Sequence, residues 1–393
     1  MTIEAVLAEL TPPVSLAAPI SRDERLARLE KARRLTRDLG AEALLINAGS
    51  SIDYFTGLRW GVSERLTALF LPVSGDPIIV CPYFERGSVL AGLQVEADLR
   101  LWQEDESPYA LIGDAMRAKG LTKLAVDPSI SFEMVHALGK QTGLSILEAG
   151  PVIRGCRLCK SPGELAIMQQ AMDMTLAVHK ATQKILREGI TTAEVENFIE
   201  AAHRKMGASG NSFCIVQFGR GTAYPHGLPG VQALKENDLV LVDTGCFVQG
   251  YTSDITRTYS FGKPTDRQRQ IWDIEKEAQA AAFARVAVGV PAEEVDAAVR
   301  RVLEKHGLGP EYKLPGTPHR TGHGIGLSIH EAPFIVRGDK TLLDVGMCFS
   351  DEPMIVVPGE DGTEFGVRLE DHIHVTEKGA AWFTQPQQDI FTA

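Results

Sequence analysis

Two strand-turn-strand patterns in the second half of the chain carry an acidic residue on both strands, and they constrain the fold more than any other feature. A buried-strand pattern ends at Asp243, and a second strand candidate, 251–259, contains Asp254. A hairpin centred between Val248 and Gln249 would set the two carboxylates directly opposite each other, with Cβ atoms about 4.5–5.5 Å apart. Because like charges repel there, the pairing predicts a cation between the strands.

A second acid-bearing hairpin is predicted near the C-terminus. Residues 348–357 and 365–375 are strand-like, and a Pro/Gly-rich turn signal lies between them. A hairpin centred on Asp361 sets Glu352 opposite Glu370. Each acid taken alone would be interpreted as a solvated strand or loop residue, but two hairpins that both bring acids together favour a shared metal site.

A glycine-rich stretch, 319–330, supplies the nitrogen ligand. Glycines at 322, 324 and 326 allow close backbone approach, and His323 stands between two of them, seven residues before His330. The stretch is not a phosphate loop, because it lacks the preceding strand, the following helix and the Lys-Ser/Thr of such loops. The predicted ligands are Asp243, Asp254, His323, Glu352 and Glu370. Such an oxygen-rich set could hold two divalent cations side by side and activate a water for hydrolysis.

Strand and helix signals alternate through the first part of the chain, which predicts an α/β domain. After a Pro/Ala-rich arm, 1–20, an amphipathic helix is predicted over 22–39. A junction at 150–162 separates this domain from the rest. The second part shows the order helix, helix, hairpin twice, which predicts an α+β domain built as a pseudo-twofold repeat with one acid pair in each half.

Composition and charge argue against several functional classes. The 393-residue chain has a formal net charge of −11 and no Lys/Arg-rich run, so neither nucleic acid nor an anionic membrane is expected as a partner. No apolar stretch approaches the about 18–20 residues of a membrane span, and the N-terminus lacks the basic start of a secretory signal. The Cys-x-x-Cys at 156 and 159 lacks the second pair or thioredoxin-like context of a zinc or redox site. A reducing, cytoplasmic location is therefore predicted.

Six segments carry a resemblance to a known family: 240–245, 250–258, 322–326, 329–331, 352–353 and 367–371. They resemble the ligand blocks of the pita-bread metallopeptidases, which include prolidase, aminopeptidase P and methionine aminopeptidase. Creatinase shares that fold but not the metal set, and this chain fills all five ligand positions. Residues 157–164 resemble the entry to the catalytic domain in the proline-specific branch. The resemblance implies a creatinase-type N-terminal domain over 1–155 and a pita-bread catalytic domain over 160–393, and it is closest to a bacterial Xaa-Pro dipeptidase, or prolidase.

The resemblance also implies roles for the five ligands. Asp243 would chelate one ion, Asp254 and Glu370 would bridge both ions, and His323 and Glu352 would complete the two positions. Two divalent ions per chain are expected, with manganese or cobalt suited to the mostly hard ligands and zinc as a further candidate. A bridging hydroxide would attack the scissile carbonyl of an Xaa-Pro peptide, with Glu352 as general base. A homodimer is expected from the resemblance alone.

Three further residues receive substrate-side roles. His226 matches the family histidine that contacts the substrate or shuttles protons, and His330 matches a second histidine that faces the carbonyl oxygen. Arg368 lies two residues from Glu370 and on the same predicted face. Its guanidinium is the candidate clamp for the free carboxylate of a dipeptide, and the alternative is a surface strand arginine that pairs with an acid.

Substrate preference is less constrained than the metal site. Met354, Ile355 and Val356 stand where the family often has Gly-x-Tyr, so the pocket wall differs. The alternatives are an aminopeptidase P-like enzyme on longer Xaa-Pro peptides, a hydrolase of a small non-peptide amide or a lyase on the same fold, and a non-catalytic binding protein. Gly245 stands where the lyase branch has an acid, and the complete ligand set argues against a non-catalytic relative.

Overall fold

The computed structural model describes residues 1–393, which form two compact units. The small unit is Ile20–Arg157, and the large unit is Met1–Pro19 together with Leu158–Ala393. The first nineteen residues therefore pack with the large unit.

The amphipathic helix predicted over 22–39 is confirmed as α2, which ends one residue earlier. The helices are α1 Ile3–Glu9, α2 Arg22–Asp38, α3 Ser50–Thr56, α4 Arg86–Gly92, α5 Pro108–Ala118, α6 Phe132–Thr142, α7 Gly150–Arg157, α8 Pro162–Gln183, α9 Thr192–Lys205, α10 Asp266–Arg285 and α11 Ala292–Lys305. Three of them, α8, α9 and α10, start with a capping box, in which the first side chain and the side chain three residues later satisfy each other's backbone N–H groups. Every helix is too short or too polar to cross a lipid bilayer.

The small unit contains the predicted α/β arrangement. Its strands are β1 Ala43–Asn47, β2 Ala68–Pro72, β3 Ile78–Pro82, β4 Asp98–Trp102, β5 Lys123–Val126 and β6 Ser145–Glu148. They form one mixed sheet in the order β4-β3-β2-β1-β5-β6. Its core includes Leu45, Phe70, Leu124, Ile112 and Met116, which are all nearly inaccessible to solvent.

The large unit repeats the predicted order of two helices followed by strands. Its strands are β7 Asn211–Phe218, β8 Leu239–Val248, β9 Tyr251–Thr252, β10 Ile255–Ser260, β11 Gly322–Gly324, β12 Glu331–Ile335, β13 Cys348–Asp351, β14 Met354–Pro358, β15 Glu364–Arg368, β16 Asp371–Thr376 and β17 Gly379–Trp382. They form a four-stranded sheet from β7, β8, β9 and β10, a five-stranded sheet in the order β12-β11-β13-β16-β17, and the pair β14-β15. Helix α10 packs on this part of the core through Trp272, which is 1% exposed.

The first acid-bearing hairpin forms, but its predicted register is wrong. Asp243 lies opposite Thr256, not opposite Asp254. The reason is the turn, which uses Gln249 and Gly250 with positive φ values of 51° and 86°, so the hairpin is centred one residue later than predicted. Asp254 precedes Thr256 by two residues and sits in a break between β9 and β10, so it still reaches the same region as Asp243.

The predicted register of the second hairpin is confirmed. Strands β14 and β15 pair Met354 with Arg368, and the ladder between β13 and β16 continues the same register beyond a short break. Glu352 and Glu370 occupy facing positions in that break. Glu352 and Glu370 are therefore not part of either strand ladder, although they face each other.

The N-terminal segment 1–19 is folded onto the large unit and does not extend as an arm. The hydroxyl of Thr2 caps α1, and Val6 is 1% exposed. The side chain of Gln170 on α8 accepts a hydrogen bond of 2.8 Å from the backbone N–H of Ala17. A Pro/Ala-rich composition did not reveal these contacts because they join residues far apart in sequence.

The glycines of stretch 319–330 are required by close packing. A Cβ atom at Gly322 would lie 1.9 Å from the carbonyl oxygen of Ser350, and one at Gly324 would lie 2.3 Å from that of Ala332. Any side chain at these positions would push neighbouring strands apart.

We predict that Gly322→Ala lowers the free energy of unfolding by about 1–3 kcal/mol, because the backbone of β13 has to move. Urea denaturation measures the change. Gly61→Ala is the matched control, since a Cβ atom there meets no atom within 4 Å. Equal urea midpoints for the two variants would contradict the close packing of Gly322.

Candidate metal centre

The five predicted ligands come from five separate segments of the large unit. Asp243 belongs to β8, His323 to β11, Asp254 to the break between β9 and β10, Glu352 to the break between β13 and β14, and Glu370 to the break between β15 and β16. All except Glu352 are buried, and Glu352 is only partly accessible. The backbone N–H of Glu352 bonds to the carbonyl of Thr321 at 2.8 Å, and that of Glu370 to the carbonyl of Thr256 at 3.1 Å. These bonds link the sheets and fix both acids at the breaks.

Two groups of donor atoms converge and share Glu370. One group is His323, Glu352 and Glu370, and the other is Asp254, Glu370 and His372. Within each group the donor atoms lie within 4.8 Å of one another. Nε2 of His323 lies 3.0 Å from Oε1 of Glu352 and 3.6 Å from Oδ2 of Asp254, so the two groups are adjacent.

Three carboxylate oxygens of the predicted ligands are buried without a hydrogen-bond partner. They are Oδ1 of Asp243, Oδ1 of Asp254 and Oε1 of Glu370. Buried polar atoms almost always have a partner, and a buried carboxylate without one is costly. An oxygen-rich donor set with unsatisfied oxygens is the chemistry that divalent cations require, so these residues fit a metal centre.

Burial and mutual repulsion oppose ionisation of two of these acids. Burial raises the pKa of Asp254 well above its usual value, and the charge of Glu370 raises it further. Burial likewise raises the pKa of Glu370, with Glu352 as the next cause. For Glu352 burial acts in the same direction, but the neighbouring imidazole of His323 outweighs it and holds the pKa well below its usual value. A bound cation would supply the compensation that Asp254 and Glu370 otherwise lack.

A chain of hydrogen bonds connects the acids of the two hairpins. The hydroxyl of Thr256 donates to Oε2 of Glu370 at 2.7 Å and accepts from Nε of Arg368 at 3.0 Å. Nη2 of Arg368 donates to Oδ2 of Asp243 at 2.5 Å. One oxygen of Glu370 and one of Asp243 are therefore held by the protein, and the other oxygen of each carboxylate is unsatisfied.

Arg368 does not have the open face that the predicted carboxylate clamp requires. Its side chain is 4% exposed and forms a buried ion pair with Asp243. Its third nitrogen donates to the carbonyl of Pro225 at 3.2 Å. Three of its five N–H groups thus bond inside the protein, so Arg368 is a buried arginine that pairs with an acid and not the surface arginine of the alternative.

The two substrate-side histidines lie at the accessible edge of the region. His330 is exposed and packs edge-to-face on His323, with ring centroids 4.2 Å apart. Partial burial lowers the pKa of His330 to about 4, with His323 as the next cause, and the nearby His226 adds to the effect. His226 lies in a turn and is exposed. Both histidines therefore border the side from which a small molecule could approach.

The residues that depart from the family pattern lie in the core and not on the surface of a pocket. Met354 and Val356 pack with Ala223 and Tyr224, and all three of the replaced positions are buried. Tyr224 precedes His226 by two residues. Met354 and Val356 therefore pack against the segment that carries His226.

Sequence reasoning missed His372 and Thr256. His372 follows Glu370 by two residues, and the strand alternation that placed Arg368 on the face of Glu370 applies equally to His372. Thr256 could not be found from sequence, because the predicted register placed Asp254 in its position opposite Asp243.

The fold and this site define a metal-dependent peptidase class, and the chain belongs to Metallopeptidase family M24. The M24 family profile matches residues 166–377, and the profile of the Creatinase/Prolidase N-terminal domain matches residues 28–159. The Xaa-Pro dipeptidase of Lactobacillus helveticus is 32% identical over 92% of this chain and 98% of its own length.

Solved structures confirm the predicted pita-bread architecture. Dipeptidase PepE from Mycobacterium ulcerans has a TM-score of 0.86 at 35% identity, covering 95% of this chain and 99% of its own. The prolidase from Thermococcus sibiricus has a TM-score of 0.85 at 31% identity, covering 94% of this chain and 99% of its own. The chain is thus an enzyme of a family whose members include dipeptidases.

We predict that Arg368→Met lowers the free energy of unfolding of the chelator-treated protein by about 3–5 kcal/mol, because Asp243 is left buried without its partner. Urea denaturation measures the loss. Arg220→Met is the control, since the Arg220–Glu364 pair of 2.8 Å is largely solvent-accessible and should contribute much less. Similar losses in both variants would contradict the importance of the buried pair.

Proposed function

We propose that this chain is a dinuclear metal-dependent dipeptidase that cleaves the bond before proline in Xaa-Pro dipeptides. The observation that carries the proposal is the buried donor set with three unsatisfied carboxylate oxygens. The relatives add support, because proteins at 32% and 31% identity are named Xaa-Pro dipeptidase and prolidase.

The proposed ligands of the two ions are Asp243, Asp254, His323, Glu352 and Glu370. Manganese or cobalt suits a mostly oxygen set, and zinc is a further candidate. When bound, the ions supply Lewis acidity and lower the pKa of the water that becomes the nucleophile.

The remaining chemistry belongs to the side chains of this protein. Glu352 is only partly buried and lies 3.0 Å from Nε2 of His323, so its carboxylate is placed to accept a proton from the attacking water. His330 and His226 border the accessible side, where they can contact the substrate carbonyl and pass protons. Arg368 is assigned a positioning role, because it orients Asp243 and, through Thr256, Glu370.

Several parts of the proposal depend on the family resemblance alone. They are a homodimer, a cytoplasmic location, and a catalytic domain over 160–393 preceded by a creatinase-type domain over 1–155. None of them affects the chemistry assigned to the centre.

We predict that the protein, stripped with a chelator and reloaded with manganese, cobalt or zinc, hydrolyses Ala-Pro and loses this activity when chelator is added again. Release of free proline measures the rate, with Ala-Ala as the control without proline. Faster cleavage of Ala-Pro-Yaa peptides would favour the aminopeptidase P-like alternative. No turnover of any dipeptide with metal bound would favour a non-peptide amide.

We predict that Asp254→Asn lowers kcat/KM for Ala-Pro by at least about 100-fold and reduces the metal bound per chain, because the amide replaces a charged ligand oxygen. Metal analysis after dialysis and far-ultraviolet circular dichroism report binding and fold. Asp361→Asn, in the exposed turn of the second hairpin, is the control and should retain both metal and activity. Full activity of Asp254→Asn would refute its role.

A further inference from the structure

His372 lies beside the candidate centre on its buried side. It belongs to β16 and follows Glu370 by two residues, and one donor atom of each side chain lies within 4.8 Å of the other. Its exposed fraction is 0%. Its ring centroid lies 6.4 Å from that of His323, the imidazole already assigned to the centre.

Neither ring nitrogen of His372 makes a well-formed hydrogen bond, although the backbone of Asp254 acts on the ring as a hydrogen-bond partner and works to raise its pKa against the effect of burial. The lack of a well-formed hydrogen bond is unusual for a buried imidazole, which loses the hydrogen bonds that water would provide. In two other fully buried histidines, both ring nitrogens have a hydrogen-bond partner. His179 contacts Tyr259 at 2.7 Å and the carbonyl of Ile255 at 2.9 Å, and His203 is similarly held by two side-chain partners.

The nearest donor atoms to His372 are also unsatisfied. One donor atom each of His372, Asp254 and Glu370 lies within 4.8 Å of the others. Oδ1 of Asp254 and Oε1 of Glu370 have no partner in the protein. Ligands about 2.0–2.2 Å from one ion stand about 3–4 Å apart, so small side-chain rotations would place all three around a single cation.

We propose that His372 is a further metal ligand, which completes the ion position held by Asp254 and Glu370. This inference rests on the proposed metal-dependent function and adds to it a second imidazole, so that the centre has one nitrogen ligand from β11 and one from β16. The lone pair of the neutral ring would be directed to the ion, which accounts for the missing hydrogen bond at that nitrogen.

A second imidazole changes which metals the centre prefers. Carboxylates and water suit manganese, whereas imidazole suits cobalt, nickel and zinc better. The position shared by Asp254, Glu370 and His372 is therefore the one expected to favour cobalt or zinc over manganese. The position beside His323 and Glu352 has its own imidazole. Its preference for cobalt or zinc over manganese should therefore not depend on His372.

X-ray absorption spectroscopy on the cobalt-loaded wild-type protein tests the ligation directly. Imidazole rings bound to a metal give a characteristic outer-shell scattering pattern. We expect two such rings per two ions, one from His323 and one from His372. His372→Ala should remove half of that signal. A wild-type protein with two ions but only one imidazole would overturn the inference, and this measurement needs no variant to fold.

Calorimetric titration of the metal-free protein gives the second readout. We expect His372→Ala to weaken the binding of one cobalt ion by about 10- to 100-fold and to weaken manganese less. His374→Ala is the matched control, because His374 lies on the same strand and packs against Phe383, outside both donor groups. His372→Gln keeps the polarity and approximate size, and serves if the alanine variant unfolds.

The outcomes separate ligation from positioning and from failure of the proposed function. Weaker cobalt binding with an unchanged imidazole count would overturn ligation and leave His372 as a residue that merely supports Asp254. Unchanged metal affinities together with unchanged imidazole scattering in His372→Ala and His372→Gln would also overturn ligation by His372. A wild-type protein that binds no divalent ion would instead refute the metal-dependent function on which the inference rests.

Discussion

The buried ion pair between Asp243 and Arg368 is the contact on which the rest of the site depends. It joins the first hairpin to the second across 125 positions of sequence, and Thr256 extends it to Glu370. An arginine in this position neutralises one acid and fixes its orientation, but it does not reach Asp254. Asp254 and Glu370 are left with raised pKa values and unsatisfied oxygens, which is the condition under which a cation is bound strongly.

The fold presents these acids through interruptions of regular structure. Asp254, Glu352 and Glu370 all lie in breaks between strands, and the backbone N–H groups of the two glutamates bond to neighbouring strands. A residue in an unbroken ladder must follow the alternation of its strand, whereas a residue in a break can direct its side chain into a shared region. The close approach at Gly322 brings His323 to the same place. The sheets thus surround three acids that lie outside regular strands, and contacts between distant residues set the direction of their side chains.

Particular elements show where sequence reasoning succeeded and where it could not. The second hairpin was predicted in its correct register, because a Pro/Gly-rich turn marks its centre. The first was misplaced, because Gln249 adopts a positive φ that non-glycine residues rarely adopt. His372 could have been found from the alternation that placed Arg368, since it lies at the same distance from Glu370 on the other side.

The amino-acid sequence by itself determined the donor types, the order of helices and strands, and the resemblance that identifies the family. These depend on local patterns of hydrophobicity, turn residues and caps, which act over a few neighbouring residues. Only the tertiary structure decided that Arg368 pairs with Asp243, that Thr256 replaces Asp254 opposite it, and that neither ring nitrogen of His372 makes a well-formed hydrogen bond. Those facts depend on contacts between residues more than a hundred positions apart or on a single turn angle, and neither is encoded in a local pattern.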